Sequence, residues 1–182
     1  MDKKKVLGIS FGRKMMNTDV MIKTALMECE KAGCEVQFIR ADDLDIKPCT
    51  GCISCVVGMT SGRGKGGCPI RDDFYIIDEA LMECDAVIVG SPTYVLGPTG
   101  RFKSVCDRIG PSHDITFRKA AYEEGIAAGK DPELLPDPRS FKKRVGALLS
   151  VGGAMTKNWL AFMLPTMYEF TMSMGIDVVD MH

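Results

Sequence analysis

Short apolar runs alternate along this chain with segments of helical period, and no other feature constrains its fold as tightly. Lys5–Ser10 (KVLGIS) reads as a strand that ends in small residues. Asn17–Ala32 follows with Ile22, Ala25, Leu26, Cys29 and Ala32 on one helical face, Asn17 or Thr18 placed to cap its start, and Gly33 placed to end it. Cys34–Arg40 then alternates as a second strand. A strand, a helix and a strand within forty residues form a crossover unit, which implies a parallel sheet.

The rhythm continues. Asp72-Asp73 is placed to cap a helix carrying Phe74, Ile77, Ala80, Leu81 and Cys84, and Asp85–Gly90 (DAVIVG) is a continuous apolar run suited to a strand covered on both faces. A helix is expected after Gly100, with Phe102, Val105, Cys106 and Ile109 at 3–4 spacing. Arg144–Val151 and Ile176–Val179 supply strands four and five. Asn158–Met174 reads as a helix bent or broken near Pro165. The expectation is one domain over residues 1–182, an open doubly wound sheet with a cysteine-rich loop at 48–69 and an insertion at about 111–140. That insertion carries a short helix near Phe117–Ala128 and too few apolar residues for a core of its own. His182 ends the chain three residues past strand five, so either a further C-terminal helix or a partner subunit is expected to cover that side.

With 23 basic against 24 acidic residues and a net charge of −1, nothing favours nucleic acid or an anionic membrane surface. No apolar stretch reaches the ~20 residues of a membrane span. The run after Met1-Asp2-Lys3-Lys4-Lys5 is too short for a signal peptide. A cytoplasmic protein is therefore expected, in which eight cysteines serve metal, redox or core roles rather than disulfides.

In a doubly wound sheet, ligands sit beyond the carboxyl ends of the strands, which singles out three loops. Ser10–Thr18 joins a strand end to a helix N-terminus and offers Ser10, Arg13, Asn17 and Thr18, the ingredients of a site for one phosphomonoester. It lacks both G-x-G-x-x-G and a P-loop. Ser91, Pro92, Thr93, Tyr94, Val95, Leu96 and Gly97 follow strand three, where small rigid residues let a flat ring approach backbone N–H groups and Tyr94 offers an aromatic wall. Gly152 and Gly153 follow strand four and allow equally close approach.

Cys49-x2-Cys52-x2-Cys55, followed after twelve residues by Cys68-Pro69, is the sharpest local signal. Its first three thiols and the proline after the last match bacterial [4Fe–4S] ligation, apart from the longer final spacing. Zinc on the same four thiolates is the alternative metal, and free thiols in a flexible loop the third reading. Cys29, Cys34, Cys84 and Cys106 fall in apolar patterns and are assigned to the core. His113 beside Asp114 reads as part of a solvated turn; Asp42-Asp43 and Asp72-Asp73 read as loop and cap residues, and no nucleophile–base–acid set can be assembled.

These residues together resemble the NADPH-dependent FMN reductase group of the flavodoxin-like superfamily, and within it the iron–sulfur flavoproteins. The resemblance is carried by Pro48-Cys49-Thr50-Gly51-Cys52-x-x-Cys55, Gly67-Cys68, Asp72-Asp73-Phe74, and Asp85 through Tyr94 to Lys103 and Asp107-Arg108. It implies a flavodoxin-like sheet of order 2-1-3-4-5. It also implies FMN, with its phosphate at Ser10, Arg13, Asn17 and Thr18 and its ring on Pro92–Gly97 near Gly152 and Gly153. A [4Fe–4S] cluster on Cys49, Cys52, Cys55 and Cys68 follows from the same resemblance, as does a homodimer or homotetramer. The expected activity is electron passage between FMN and the cluster, with NAD(P)H or ferredoxin as possible donor and no side-chain acid or base required. Two alternatives stand beside it: an NAD(P)H-dependent FMN or quinone reductase without a cluster, and a non-catalytic electron carrier serving a larger complex.

Overall fold

Five parallel strands form one sheet in the order β2-β1-β3-β4-β5 in a computed structural model that describes residues 2–61, 65–153 and 162–182. The strands are β1 Lys5–Ser10, β2 Glu35–Arg40, β3 Ala86–Pro92, β4 Arg144–Val151 and β5 Ile176–Met181. The helices are α1 Asn17–Lys31, α2 Ser54–Ser61, α3 Phe74–Glu83, α4 Gly100–His113, α5 Ile115–Ala127 and α6 Met163–Met172. Among the described residues no helix is long and apolar enough to cross a membrane.

The two faces of the sheet are covered unequally. One face packs Leu7, Ile9, Val87, Val89, Leu148 and Ile176 against α3 (Ile77, Leu81), α4 (Phe102, Val105, Ile109) and α6 (Met163, Met167, Phe170). The other face packs Val6 of β1 against Ile22 and Leu26 of α1, with Val36, Phe38, Ala86, Ile88 and Leu149 around them. Gly8 and Gly90 let α1 approach closely: a Cβ on either would fall within 3 Å of Ile22. At β4 and β5 this second face leaves Val145 and Val179 exposed.

Four expectations require correction. The segment 48–68 is not all loop, since α2 forms over Ser54–Ser61; its glycines and cysteines masked a single apolar contact line through Cys55 and Met59, both buried. Pro111, where the insertion was expected to begin, does not interrupt α4. The helix runs through it to His113, and the Ser112 hydroxyl donates to the carbonyls of Arg108 (2.6 Å) and Ile109 (3.3 Å), satisfying acceptors at the helix end. Pro165 falls in the first turn of α6, where proline is tolerated, rather than at a bend; the expected start of that helix lies outside the described residues. His113 is 3% exposed, not solvated: its Nδ1 is 2.9 Å from Ser112 Oγ and its Nε2 2.6 Å from Asp78 Oδ1.

Asp85 ties the amino ends of the strands together. Its carboxylate accepts the Lys5 N–H at 2.9 Å and lies 2.8 Å from Lys142 Nζ and 3.5 Å from Lys4 Nζ. Lys142, then the Lys5 amide, hold it down to a pKa of about 2. Because the folded value lies below the unfolded one, this stabilisation is complete above the ordinary carboxylate range and is lost as pH falls toward the folded value. Asp85→Asn is therefore expected to cost on the order of 1–2 kcal/mol at neutral pH, allowing for solvent screening of the lysines. In urea titrations the gap to the wild type should narrow as pH drops from about 5 to about 3. A gap independent of pH would contradict this account.

Candidate functional site

The carboxyl ends of β1, β3 and β4 meet at a cleft of about 200 Å³ lined by Gly12, Arg13, Met16, Asn17, Thr18, Pro92, Thr93, Tyr94, Val151 and Gly153. Seven of the residues singled out in the sequence thus converge: Arg13, Asn17, Thr18, Pro92, Thr93, Tyr94 and Gly153. Asn17 begins α1, with Met16 rather than Asn17 or Thr18 in the capping position and no side chain capping it. The first-turn N–H groups consequently lack intrahelical acceptors, and the helix dipole favours an anion there. The Thr93 hydroxyl is buried without a hydrogen-bond partner among the described residues, at a cleft wall where a bound ligand would provide one.

The remaining loop residues support this cleft from outside it. Ser10 is fully buried, and its hydroxyl donates to Asp19 Oδ1 at 2.5 Å while accepting the Gly12 N–H at 3.2 Å. Asp19 also accepts the Met15 N–H (3.0 Å) and Arg40 Nε (2.8 Å). Burial opposes its charge, but Ser10, Arg40 and the Met15 amide outweigh it and hold the carboxyl below its ordinary range. This anchor was missed in the sequence, where Asp19 is one acidic residue in a helix start and Arg40 a strand-end cation. Ser91 is likewise buried and accepts the Thr99 N–H at 3.2 Å, while the Thr99 hydroxyl caps α4 by accepting the Phe102 N–H. Val95, Leu96 and Gly97 lie outside the cleft, in a tight reversal where the Tyr94 and Gly97 backbones pair. Gly152 adjoins the cleft without lining it.

Backbone strain gathers in these loops. Among the described residues, the non-glycine positions with left-handed backbone are Met15, Ile53, Val95 and Leu96. Val95 at φ 46° and Ile53 at φ 52° are the costliest, since β-branched side chains clash there; Val95 is also 90% exposed. Such positions persist where a site holds them in place.

A second cavity, of about 60 Å³, is lined by Cys49, Cys52, Cys55 and Cys68 together with Ile70, Asp107, Arg108 and Pro111. All four cysteines of the motif therefore converge. Cys55 at the start of α2 is buried, Cys68 partly so, and Cys49 and Cys52 are exposed. The Gly51 N–H points at Cys49 Sγ at 3.4 Å, and Gly51 and Ile53 both adopt positive φ, folding the backbone around the sulfurs. Ser54 and Thr50 draw the Cys52 thiol below its ordinary range; burial, with Cys68 and Cys49 nearby, pushes Cys55 up. Among the described residues, no three His, Cys, Asp or Glu side chains close on a single ion.

The base of the cysteine segment is tied to α4. Asp72 accepts the Lys47 N–H (2.8 Å), the Phe74 N–H (3.1 Å) and Arg108 Nη1 (2.5 Å). Asp72 is thus less a cap residue than one half of a buried ion pair, its side chain wholly buried and that of Arg108 1% exposed. Arg108 also donates to the carbonyls of Lys47 (3.1 Å) and Ile70 (3.2 Å). Burial opposes its charge, yet Asp72 and Cys68 raise its pKa above the ordinary value.

A parallel sheet of order 2-1-3-4-5 with its cleft at the β1/β3 ends defines a flavodoxin-like domain. Residues 5–175 match the NADPH-dependent FMN reductase family, and the chain belongs to it, a family of flavin-dependent oxidoreductases. The chain is 32% identical over 183 aligned residues to a flavone synthase of Aspergillus candidus, an alignment covering 96% of the chain and 53% of that protein. It is 35% identical over 104 residues to an iron–sulfur flavoprotein of Archaeoglobus fulgidus, covering 57% of the chain and 48% of that protein. Among solved structures, a flavone reductase superposes with a TM-score of 0.79 at 26% identity, over 98% of the chain and 53% of its own. The chain thus spans about half the length of these relatives.

Were FMN to occupy this cleft and bond Thr93, Thr93→Val would weaken its binding about 3- to 10-fold, the worth of one neutral hydrogen bond, while leaving the unliganded protein as stable as before or slightly more so. Flavin fluorescence titration and urea unfolding of the flavin-free protein check both halves.

Proposed function

We propose that this chain is an iron–sulfur flavoprotein, with FMN in the cleft and a [4Fe–4S] cluster on Cys49, Cys52, Cys55 and Cys68. The observation that carries the proposal is the convergence of four thiols on one cavity in a chain whose sheet also forms a flavin-type cleft. Four sulfurs around a cavity suit a multi-atom cluster better than zinc, which draws its thiolates to about 2.3 Å from one point. Arg13 and the first turn of α1 would receive the FMN phosphate, while Pro92, Thr93 and Tyr94 would bound the ring and Gly153 admit its close approach. Bound FMN would supply the exchange between two-electron chemistry with a nicotinamide donor such as NAD(P)H and one-electron chemistry with a cluster, and the chain's part would be to hold and orient both groups. A cytoplasmic homodimer or homotetramer exchanging electrons with ferredoxin or another redox partner completes the reading. It is supported by the apolar side chains that α1 exposes at Val20, Met21 and Met27, with Met16 exposed just before its start.

A second reading is favoured by the flavone synthase and flavone reductase, whose alignments cover nearly all of the chain: a reductase that passes electrons from bound FMN to a flat organic substrate, with no cluster. Purification without oxygen, followed by iron, sulfide and flavin assays, separates the two. About four iron and four sulfide per chain beside FMN is the expected result; FMN without iron would transfer the assignment to the second reading.

A further inference from the structure

The cysteine cavity contains a cation that thiolate ligation does not explain. Arg108 is 2% exposed and lines the cavity beside all four cysteines. Its Nη1 is engaged by Asp72 and the Lys47 carbonyl, its Nη2 by the Ile70 carbonyl. The Phe74 ring lies 4.1 Å from the guanidinium carbon and covers one face. Of its nitrogens, Nε is the one buried without an acceptor among the described residues. A buried donor left unpaired is costly, and the cysteine cavity is where an acceptor could be gained.

We propose that Arg108 is a positioning and tuning residue for the cluster, its Nε–H donating to a sulfur of the loaded site, either the Cys68 thiolate or an adjacent sulfide. This rests on the iron–sulfur reading above. A thiolate-ligated cluster gains negative charge on reduction, so a hydrogen bond and a fixed positive group beside it favour the reduced state and raise the potential. Asp72 keeps the guanidinium in place: the carboxylate that holds Nη1 also binds the amides of Lys47 and Phe74 at the two ends of the cysteine segment. Nε is thereby left as the nitrogen free to turn to sulfur.

The test uses holoprotein purified without oxygen and two variants. Arg108→Lys keeps the charge but has no Nε–H in that place; the double variant D72N/R108Q removes the ion pair without leaving a buried unpaired carboxylate. FMN content reports folding, iron and sulfide report loading, and a spin-resonance-monitored redox titration reports the midpoint. Both variants are expected to hold FMN and cluster with lowered midpoints. The double variant should show at least a tenfold smaller reduced-to-oxidised ratio at the wild-type midpoint, about 59 mV for a one-electron couple. Wild-type midpoints in both loaded variants would overturn the assignment of Arg108. Should neither variant retain iron, wild-type protein grown on isotopically labelled arginine decides: nitrogen hyperfine coupling to the reduced cluster supports the contact, and its absence overturns it. Wild-type protein that carries FMN but no iron overturns the cluster reading itself, a result distinct from either.

Discussion

Replacing Cys52 by serine is expected to empty the cysteine cavity of iron and sulfide while FMN stays bound at about one per chain. Cys52 is the informative position because its side chain is exposed and supports no core packing. Its hydroxyl replacement therefore leaves α2 and the buried Cys55 in place. Ser54 and Thr50 already favour its thiolate, the form that ligates iron. Serine keeps the shape but gives up that thiolate, so iron should fall from about four per chain to near zero. The cleft proposed for FMN shares no lining residue with the cysteine cavity. Joint loss of FMN and iron would mean that the two sites form one unit, and full retention of iron would remove Cys52 from the ligand set.

Asp19→Ala should produce the largest loss of stability. The substitution deletes the acceptor shared by Ser10, the Met15 amide and Arg40, and it leaves Arg40, with a side chain 7% exposed, Asp43 as its one ion-pair partner among the described residues. Breaking a buried pair from one side costs about 3–5 kcal/mol, and the retained Asp43 contact places the expectation near the lower end, about 3 kcal/mol. The loop that Asp19 holds is also the floor of the proposed phosphate site, so FMN affinity should fall about tenfold or more. Urea unfolding with and without FMN separates these effects. At a fixed ligand excess, each tenfold loss of affinity removes about 1.4 kcal/mol of the stabilisation that FMN confers. A variant that is destabilised yet gains as much from FMN as the wild type would show that Asp19 serves the fold alone.

The strand framework was legible because each strand depends on its own composition. Lys5–Ser10 and Arg144–Val151 have the same limits in the sequence reading and in the structure, and the parallel arrangement follows from the helices between them. The cleft was legible to the same degree, since strand ends alone direct attention to Arg13, Thr18, Pro92 and Thr93. What was not legible is polar and long-range. Arg108 and Asp72 are 36 positions apart, and nothing local marks either as half of a buried pair. Ser10 has the hydroxyl a phosphate site wants, but Asp19 in the first turn of the following helix takes it inward. His113 looked solvated because the prolines and charges near it resemble a loop; its burial depends on Asp78, brought against it by α3.

The strand order also has a temporal consequence. Both β1 and β2 are complete by Arg40, but the partner for the other edge of β1, β3, begins more than forty positions later. The cysteines are made in that interval, and Arg108 follows Cys68 by about 40 residues, a few seconds at ribosomal rates of ~5–20 residues per second. A nascent chain therefore presents Cys49, Cys52, Cys55 and Cys68 before α4 exists to enclose them. On the proposed iron–sulfur reading, the choice of metal during synthesis would fall to whatever the cell offers to open thiols, and the guanidinium would arrive only after that choice had been made.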